Sequence, residues 1–295
     1  MPQILLIDNG SSRPESTLNL RRLAQTLSLV SGQMVHPVSL MHANKAPVEA
    51  LNQQAAEILQ PHLHRQLVAG KRAFLLIPVF YGVSRALTSF VPDVQNKLQA
   101  EFGEFHLQTA DVLCPLPHGE PRLVELLVDL ITYTERRLAL SAEHLFFADH
   151  GSPIPTVTQV RQWLAKQMRE KFPNKTLYEC VMERRSGQAY DFNGALLDQQ
   201  LRHVATKINT DAPINQRTFI VSLLFTSAGT HAGAGGDIEQ ICAAVMKDHP
   251  HIDIHTTPLV GEHPLLIDIL QQRMNDAITA NPTTLHKTER IRKVA

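Results

Sequence analysis

Cysteine is scarce in this 295-residue chain: Cys114, Cys180 and Cys242 are the only three, and no two form a CxxC pair. A disulfide framework and a cysteine-built zinc site are therefore not expected, and a reducing compartment fits. Excess charge of either sign is also missing, since Lys+Arg and Asp+Glu number 28 each. That removes the broad attraction on which a general nucleic-acid binder relies, so no nucleic-acid partner is expected. No apolar run approaches the length of a membrane span, and the opening stretch MPQILLIDNG lacks the basic region of a signal peptide. A soluble, cytoplasmic protein with no membrane partner is the expectation. What the chain does have is ample core-forming material, 43% hydrophobic residues, and an unusual stock of 15 histidines.

The chain also repeats itself. Ile4-Leu-Leu-Ile-Asp-Asn9-Gly10-Ser11 is matched by Leu145-Phe-Phe-Ala-Asp-His150-Gly151-Ser152 at an offset of 141. Phe74–Phe80 is matched by Phe219–Phe225 at an offset of 145, and Pro115–Pro121 by Pro258–Pro264 at 143. Three matches in one order imply two homologous halves, 1–140 and 141–280, followed by a polar tail, 281–295, expected to be flexible. An internal pseudo-dimer of this kind leaves either a monomer or a homodimer open.

Within each half, continuous apolar runs alternate with helical stripes such as Thr17–Leu29 and Val157–Met168. Runs apolar on every residue suit strands buried on both faces. The expected fold is α/β: two doubly wound domains with parallel sheets and a cleft between them. Ligands of such sheets sit at the carboxyl ends of the strands, where Asn9, His150 and the loops after Phe80 and Phe225 would lie.

Two loops in the second half carry the chemical signal. His150 follows the run Leu145–Ala148 and precedes Gly151-Ser152; His231 is the one imidazole in the small-residue loop Ser227–Asp237. Alone, the first is equally a turn histidine and the second a mobile surface loop. Together, two imidazoles on strand ends of one half suit a divalent metal held loosely enough to be passed on. Tyr178–Glu183 is expected to be a strand with Glu183 at its carboxyl end, sharing a face with Glu179; pairing with Arg184 or Arg185 is the competing role for Glu183. His62 and His64, two apart on an expected helix, do not share a face. His251, Asp253 and His255 fit a solvated edge strand better than a chelate, and His263 is a peripheral candidate. The glycine loop does not follow the GxGxxG spacing, no GxSxG elbow is present, and the residue before His150 is Asp149, not the Arg that a histidine phosphatase uses.

The set formed by His150-Gly-Ser, the loop with His231 followed by Asp237-Ile238, and the final strand leading to Pro258–Pro264 resembles the CbiX-type sirohydrochlorin chelatases. These are class II chelatases, in the superfamily that includes ferrochelatase. The resemblance covers both halves and is similar to the long, two-repeat members. It implies insertion of a divalent metal (Co²⁺, Fe²⁺ or Ni²⁺) into sirohydrochlorin without ATP, a lyase-type activity serving cobalamin or sirohaem biosynthesis, with no cofactor beyond the substrate metal. It also implies that His150 and His231 are the metal ligands and that Glu183 assists as proton acceptor or charge balance.

Asn9 stands where the first half would carry its histidine, and no histidine occurs between Arg65 and Phe105. The first half is therefore expected to be catalytically silent and to form the opposite wall of the cleft. Arg13, Arg184 and Arg185 are candidates for the tetrapyrrole carboxylates. The alternative reading is a non-catalytic tetrapyrrole- or metal-binding protein that kept the fold and lost turnover. A metal-dependent hydrolase is a weaker third, since no carboxylate-rich cluster stands at the strand ends.

Overall fold

A computed structural model describes residues 2–280; the expected tail lies outside the described residues. The first half runs β1 (Gln3–Asp8), α1 (Pro14–Ser31), β2 (Val35–Ser39), α2 (Leu59–Val68), β3 (Ala73–Pro78), α3 (Val91–Phe102), β4 (His106–Thr109) and α4 (Pro121–Leu138). The second runs β5 (His144–Asp149), α5 (Pro155–Lys171), β6 (Thr176–Val181), β7 (Ala195–Leu196), α6 (Leu197–Ala205), the short α7 (Ile214–Arg217), β8 (Thr218–Leu223), α8 (Asp237–Asp248), β9 (Asp253–Thr256) and α9 (Leu265–Thr279). The sheets are wholly parallel, in the orders β2-β1-β3-β4 and β7-β6-β5-β8-β9. The fold is α/β with two doubly wound sheets, and apart from β7 the second order repeats the first.

The apolar runs explain the layering. In β1, Ile4 and Leu6 face α1 while Leu5 and Ile7 face the layer of α2 and α3; in β5, Leu145 and Phe147 face α5 while Phe146 and Ala148 face α6 and α8. Period-two alternation thus supplies both faces of a buried strand. Each first helix opens on a proline, Pro14 or Pro155, at a position that needs no amide donor.

The strands are shorter than the apolar runs suggest. β3 ends at Pro78, β8 at Leu223 and β6 at Val181, so Glu183 stands in the turn after its strand rather than at the strand's end. The residues left over lead into the cleft loops.

The last helix of each half packs across the boundary. α4 lies against α5 and β8, and α9 lies against α1 and β3. Arg273 of α9 reaches the Val112 and Leu113 carbonyls and the Glu120 carboxylate at 2.9, 3.1 and 2.7 Å. A single apolar core consequently runs through both halves, from Ile4 and Leu23 to Leu145, Leu164 and Leu270. Near its cleft end, Thr226 donates to the Tyr81 hydroxyl at 3.1 Å. These are equivalent positions of the two repeats, one residue beyond Phe80 and Phe225. Among the described residues no helix is long and apolar enough to cross a membrane.

Candidate metal centre

β5 ends on Asp149, and the next three residues build the site. Gly151 adopts φ +91°, and a Cβ there would lie 2.0 Å from the Glu183 carbonyl oxygen. Only glycine lets the two chains approach in this way. The contact is fixed by the Met182 amide donating to the Asp149 carbonyl (2.9 Å) and the Glu183 amide donating to the His150 carbonyl (3.1 Å). His150 and Glu183 are therefore positioned by backbone pairing, and the His150 Nε2 to Glu183 Oε1 distance is 3.5 Å.

Beneath the pair lies a buried polar support. Arg161 of α5, 1% exposed, donates to Asp149 at 2.7 Å and to the Asn193 carbonyl at 2.6 Å. The Asn193 side chain, itself fully buried, accepts from the Ser152 amide at 3.0 Å and donates to the Ser152 carbonyl at 2.9 Å. Burial holds the Asp149 carboxyl above the usual carboxylate range, opposed by the Arg161 charge and its hydrogen bond.

His231 arrives from the loop after β8, a series of turns closed by Gly229 donating to the Ala232 carbonyl and Ile238 donating to the His231 carbonyl. Its Nδ1 lies 2.7 Å from the Asp237 carboxylate at the start of α8. His150 Nδ1 faces the Gly151 carbonyl at 3.2 Å. A carbonyl and a carboxylate accept only, and with hydrogen on each Nδ1 both Nε2 lone pairs are free for a metal. Those two Nε2 atoms point at one another across 3.0 Å. Two imidazoles on a tetrahedral metal, each bonded at about 2.05 Å, hold their nitrogens about 3.3 Å apart, so little movement separates this geometry from a chelate.

His150, Glu183 and His231 each offer a ligand atom within 4.8 Å of the others', so the structure brings together the three residues singled out from the sequence. The histidines line a cavity of about 330 Å³ between the two halves, with Asp8, Asn9 and Ser11 on the far wall. His150 also lines a second cavity, about 360 Å³, with Glu183, Arg184 and Arg185. Arg184 lies 3.2 Å from Asp191, and Arg185 packs over the Tyr190 ring. Arg13 does not line either cavity; it sits at the start of α1, its amide bonded to Ser11. Glu179 is paired with Arg169 at 3.0 Å and takes no part. His62 is buried on α2, His255 pairs with Asp253 at 2.7 Å on the edge strand β9, and His263 lies 3.7 Å from Asp129.

The first half repeats this backbone without the histidines and the glutamate. Gly10 has φ +83° and meets the Met41 carbonyl as Gly151 meets that of Glu183. The Leu40 and Met41 amides donate to the Asp8 and Asn9 carbonyls. Asn9 and Met41 thus occupy the places of His150 and Glu183.

Residues 144–277 match the family model CbiX. No curated protein matches the chain by sequence. Among solved structures, SirB from Bacillus subtilis with Fe³⁺ is 11% identical with a TM-score of 0.66, covering 95% of this chain and 96% of that one. SirB of Bacillus subtilis subspecies spizizenii in complex with cobalt gives 11% identity and 0.64, over 94% and 95%. CbiX, described as the terminal enzyme for biosynthesis of sirohaem in denitrifying bacteria, gives 14% and 0.56, over 93% and 99%. The match to the CbiX model lies within the second half, and the whole chain shares the two-lobed fold of these chelatase structures.

Proposed function

We propose that the protein is a sirohydrochlorin chelatase whose active site is the His150–Glu183–His231 cluster of the second half. The observation that carries this reading is the pair of Nε2 atoms 3.0 Å apart, each made a lone-pair donor by the partner on its own Nδ1. Two lone pairs facing each other repel, and a cation between them relieves the repulsion. The site stands in an open cleft with His150 and Glu183 exposed, which suits cargo that must leave again more than a buried structural ion.

The substrate metal is a divalent ion, Co²⁺ or Fe²⁺, with Ni²⁺ also compatible with imidazole ligands; the product serves cobalamin or sirohaem synthesis. The macrocycle lies over the inter-lobe cavity and the neighbouring cavity that shares His150, and in the latter Arg184 and Arg185 meet its carboxylates as charge-assisted donors. Arg13 would reach them only from the rim. The histidines replace waters of the entering ion, and Glu183 takes up a pyrrole proton. The first half, 1–140, forms the opposite wall and holds no metal, while 141–280 carries the chemistry. Three unpaired, buried cysteines fit a cytoplasmic setting.

The test is an anaerobic absorbance assay with sirohydrochlorin and Co²⁺, Fe²⁺ or Ni²⁺ in turn, against a protein-free control. Protein-dependent conversion with one metal is the expected result and names that metal. A bound but unconverted tetrapyrrole with all three would leave the non-catalytic binding role in its place.

A further inference from the structure

The repeat leaves one acidic group without the partner its twin has. Asp8 and Asp149 end equivalent strands, β1 and β5, at the point where each sheet reverses its winding order. Asp149 is held by the Arg161 guanidinium at 2.7 Å and by the Gly151 amide at 3.1 Å. Counting from the prolines that open α1 and α5, the residue matching Arg161 is Leu20. Asp8 therefore has no cation below it. Its Oδ2 accepts only a long bond from Ser16, 3.4 Å, and its Oδ1 is buried with no hydrogen-bond partner.

A buried carboxyl oxygen without a partner is costly, and a structural aspartate would be expected to have shed that cost as its twin did. Asp8 also lines the inter-lobe cavity shared with His150 and His231, where it is the one carboxylate; those two imidazoles are the only other titratable side chains on its wall. On the elements around it, Arg21 and Arg22 of α1 are turned to the Leu51 and Gly261 carbonyls, Glu15 is exposed, and His36 of β2 and His42 of the following loop line other surfaces. Burial pushes the Asp8 carboxyl up to about 6, against the weaker pull of the neighbouring Ser39 and Ser16 hydroxyls and the Gly10 backbone, none of which makes a short hydrogen bond to it. It is thus a carboxylate at neutral pH and a better proton acceptor than an ordinary aspartate.

We propose that Asp8, on the half that has Asn9 and Met41 in place of the histidine and glutamate, is a proton-accepting catalytic residue for a macrocycle held in the cleft. This rests on the chelatase reading above. A flat ligand between two lobes presents one face to each, so the metal reaches it from His150 and His231 while Asp8 meets the other face. Insertion of M²⁺ breaks two pyrrole N–H bonds. Both electron pairs stay on nitrogen and become metal–nitrogen bonds, one proton passes to the Asp8 carboxylate and the other to Glu183, and both leave to water. The two positive charges gained by the ring balance the two protons released. The first half would in this way supply a base from the wall of the cavity that faces His150 and His231.

The experiment uses the full chain and its Asp8→Asn and Asp8→Glu variants. Single-turnover insertion of Co²⁺ into sirohydrochlorin is followed from about pH 5 to 9, alongside Co²⁺ affinity and sirohydrochlorin affinity without turnover. Positioned general bases contribute about 10²–10⁴-fold, so Asp8→Asn should slow insertion at least about 100-fold at neutral pH. It should also abolish the rise of rate with pH near 6 and leave both affinities within about twofold. Asp8→Glu should restore part of the rate and a rise with pH. Since Asn is isosteric and uncharged, a thermal melt of Asp8→Asn confirms that the fold is kept. An active wild type whose Asp8→Asn variant keeps the rate and the pH profile would overturn the inference and leave the chelatase reading standing. A rate loss matched by an equal loss of Co²⁺ or tetrapyrrole affinity would reduce Asp8 to a binding or structural group and overturn it too. A wild type inactive with Co²⁺, Fe²⁺ and Ni²⁺ would take down both readings.

Discussion

Replacing Arg161 with leucine would give the second half the arrangement found in the first. Arg161 is 1% exposed and joins Asp149, the Asn193 carbonyl and, through Nε at 3.5 Å, Glu179. Removing one partner of a buried ion pair costs about 3–5 kcal/mol. Glu179 keeps Arg169, so the loss falls mainly on Asp149 and the lower end, about 3 kcal/mol, is expected at pH 8. The sign of the pH dependence follows from Asp149. Its carboxyl already lies above the ordinary value through burial, and Arg161 is what restrains the shift. Without Arg161 the folded state holds a proton that the unfolded state releases, so stability falls as pH rises through the interval between the unfolded and folded values. The deficit of Arg161→Leu should therefore be smallest near about pH 4, the ordinary aspartate value, and larger at pH 8. Urea unfolding at both pH values, read by Trp163 fluorescence and circular dichroism, measures it. Adding Asp149→Asn to Arg161→Leu should remove most of the pH-dependent part. A deficit under about 1 kcal/mol at pH 8, or one equal at both pH values, would refute the argument that this guanidinium compensates Asp149.

Two other perturbations address the metal centre itself. Asp237→Asn replaces a carboxylate that fixes the His231 tautomer at 2.7 Å; loss of such an outer partner typically weakens metal binding about 10–100-fold, and Co²⁺ titration of the apoprotein would show it. Gly151→Ala forces a side chain onto φ +91° and to within 2.0 Å of the Glu183 carbonyl. It should cost about 1–3 kcal/mol and separate Glu183 from His150, with metal insertion falling more than stability alone explains; unchanged Tm and turnover would show that the contact is dispensable.

The layered fold was legible because strands buried on both faces leave no polar alternation: Ile4–Ile7 and Leu145–Ala148 permit little else. The histidines that meet in the cleft were legible for a related reason, as His150 and His231 follow apolar runs whose carboxyl ends are where a doubly wound sheet presents its site. Glu183 was found through an argument about strand alternation that the structure replaces. It belongs to the turn after β6, and its position comes from the clash-limited approach of Gly151 and the amide it donates to His150. The supporting residues gave weaker signals. Asp237 was visible only as part of a pattern, and Arg161 and Asn193 look like ordinary helix and loop residues until the chain is folded. A single sequence reports periodicity and breaks in periodicity; it does not report which distant polar group completes a buried one. The repeat did hold an unused clue, since comparing Arg161 with Leu20 marks the charge that one half keeps and the other lacks.

The crossed helices set a limit on how the halves can be separated. Residues 141–280 include α9 but not α4, and in the intact chain the β8 and α5 surfaces of this half are covered by α4. A fragment cut at the repeat boundary would uncover the faces of β8 and α5 that α4 covers, with Ile220, Leu164 and Met168 in that apolar layer all fully buried in the chain, and would leave α9 without α1 and β3. Burying an aliphatic side chain of this size contributes about 1.5–3 kcal/mol, so partial exposure of this layer removes a large share of the about 5–15 kcal/mol that stabilises a domain. An isolated, monomeric second half should therefore not fold cooperatively. Because α9 holds the position in its repeat that α4 holds in the first, a second copy of the fragment can supply the missing helix, each α9 covering the partner's sheet. Residues 141–295 expressed alone should accordingly fold as a dimer whose melting temperature rises with protein concentration. The two histidines and Glu183 would be retained on each subunit, so each dimer should bind two equivalents of Co²⁺. A monomeric fragment with a sharp, concentration-independent melt would show that the second half is a self-sufficient domain and that α4 contributes little to its core.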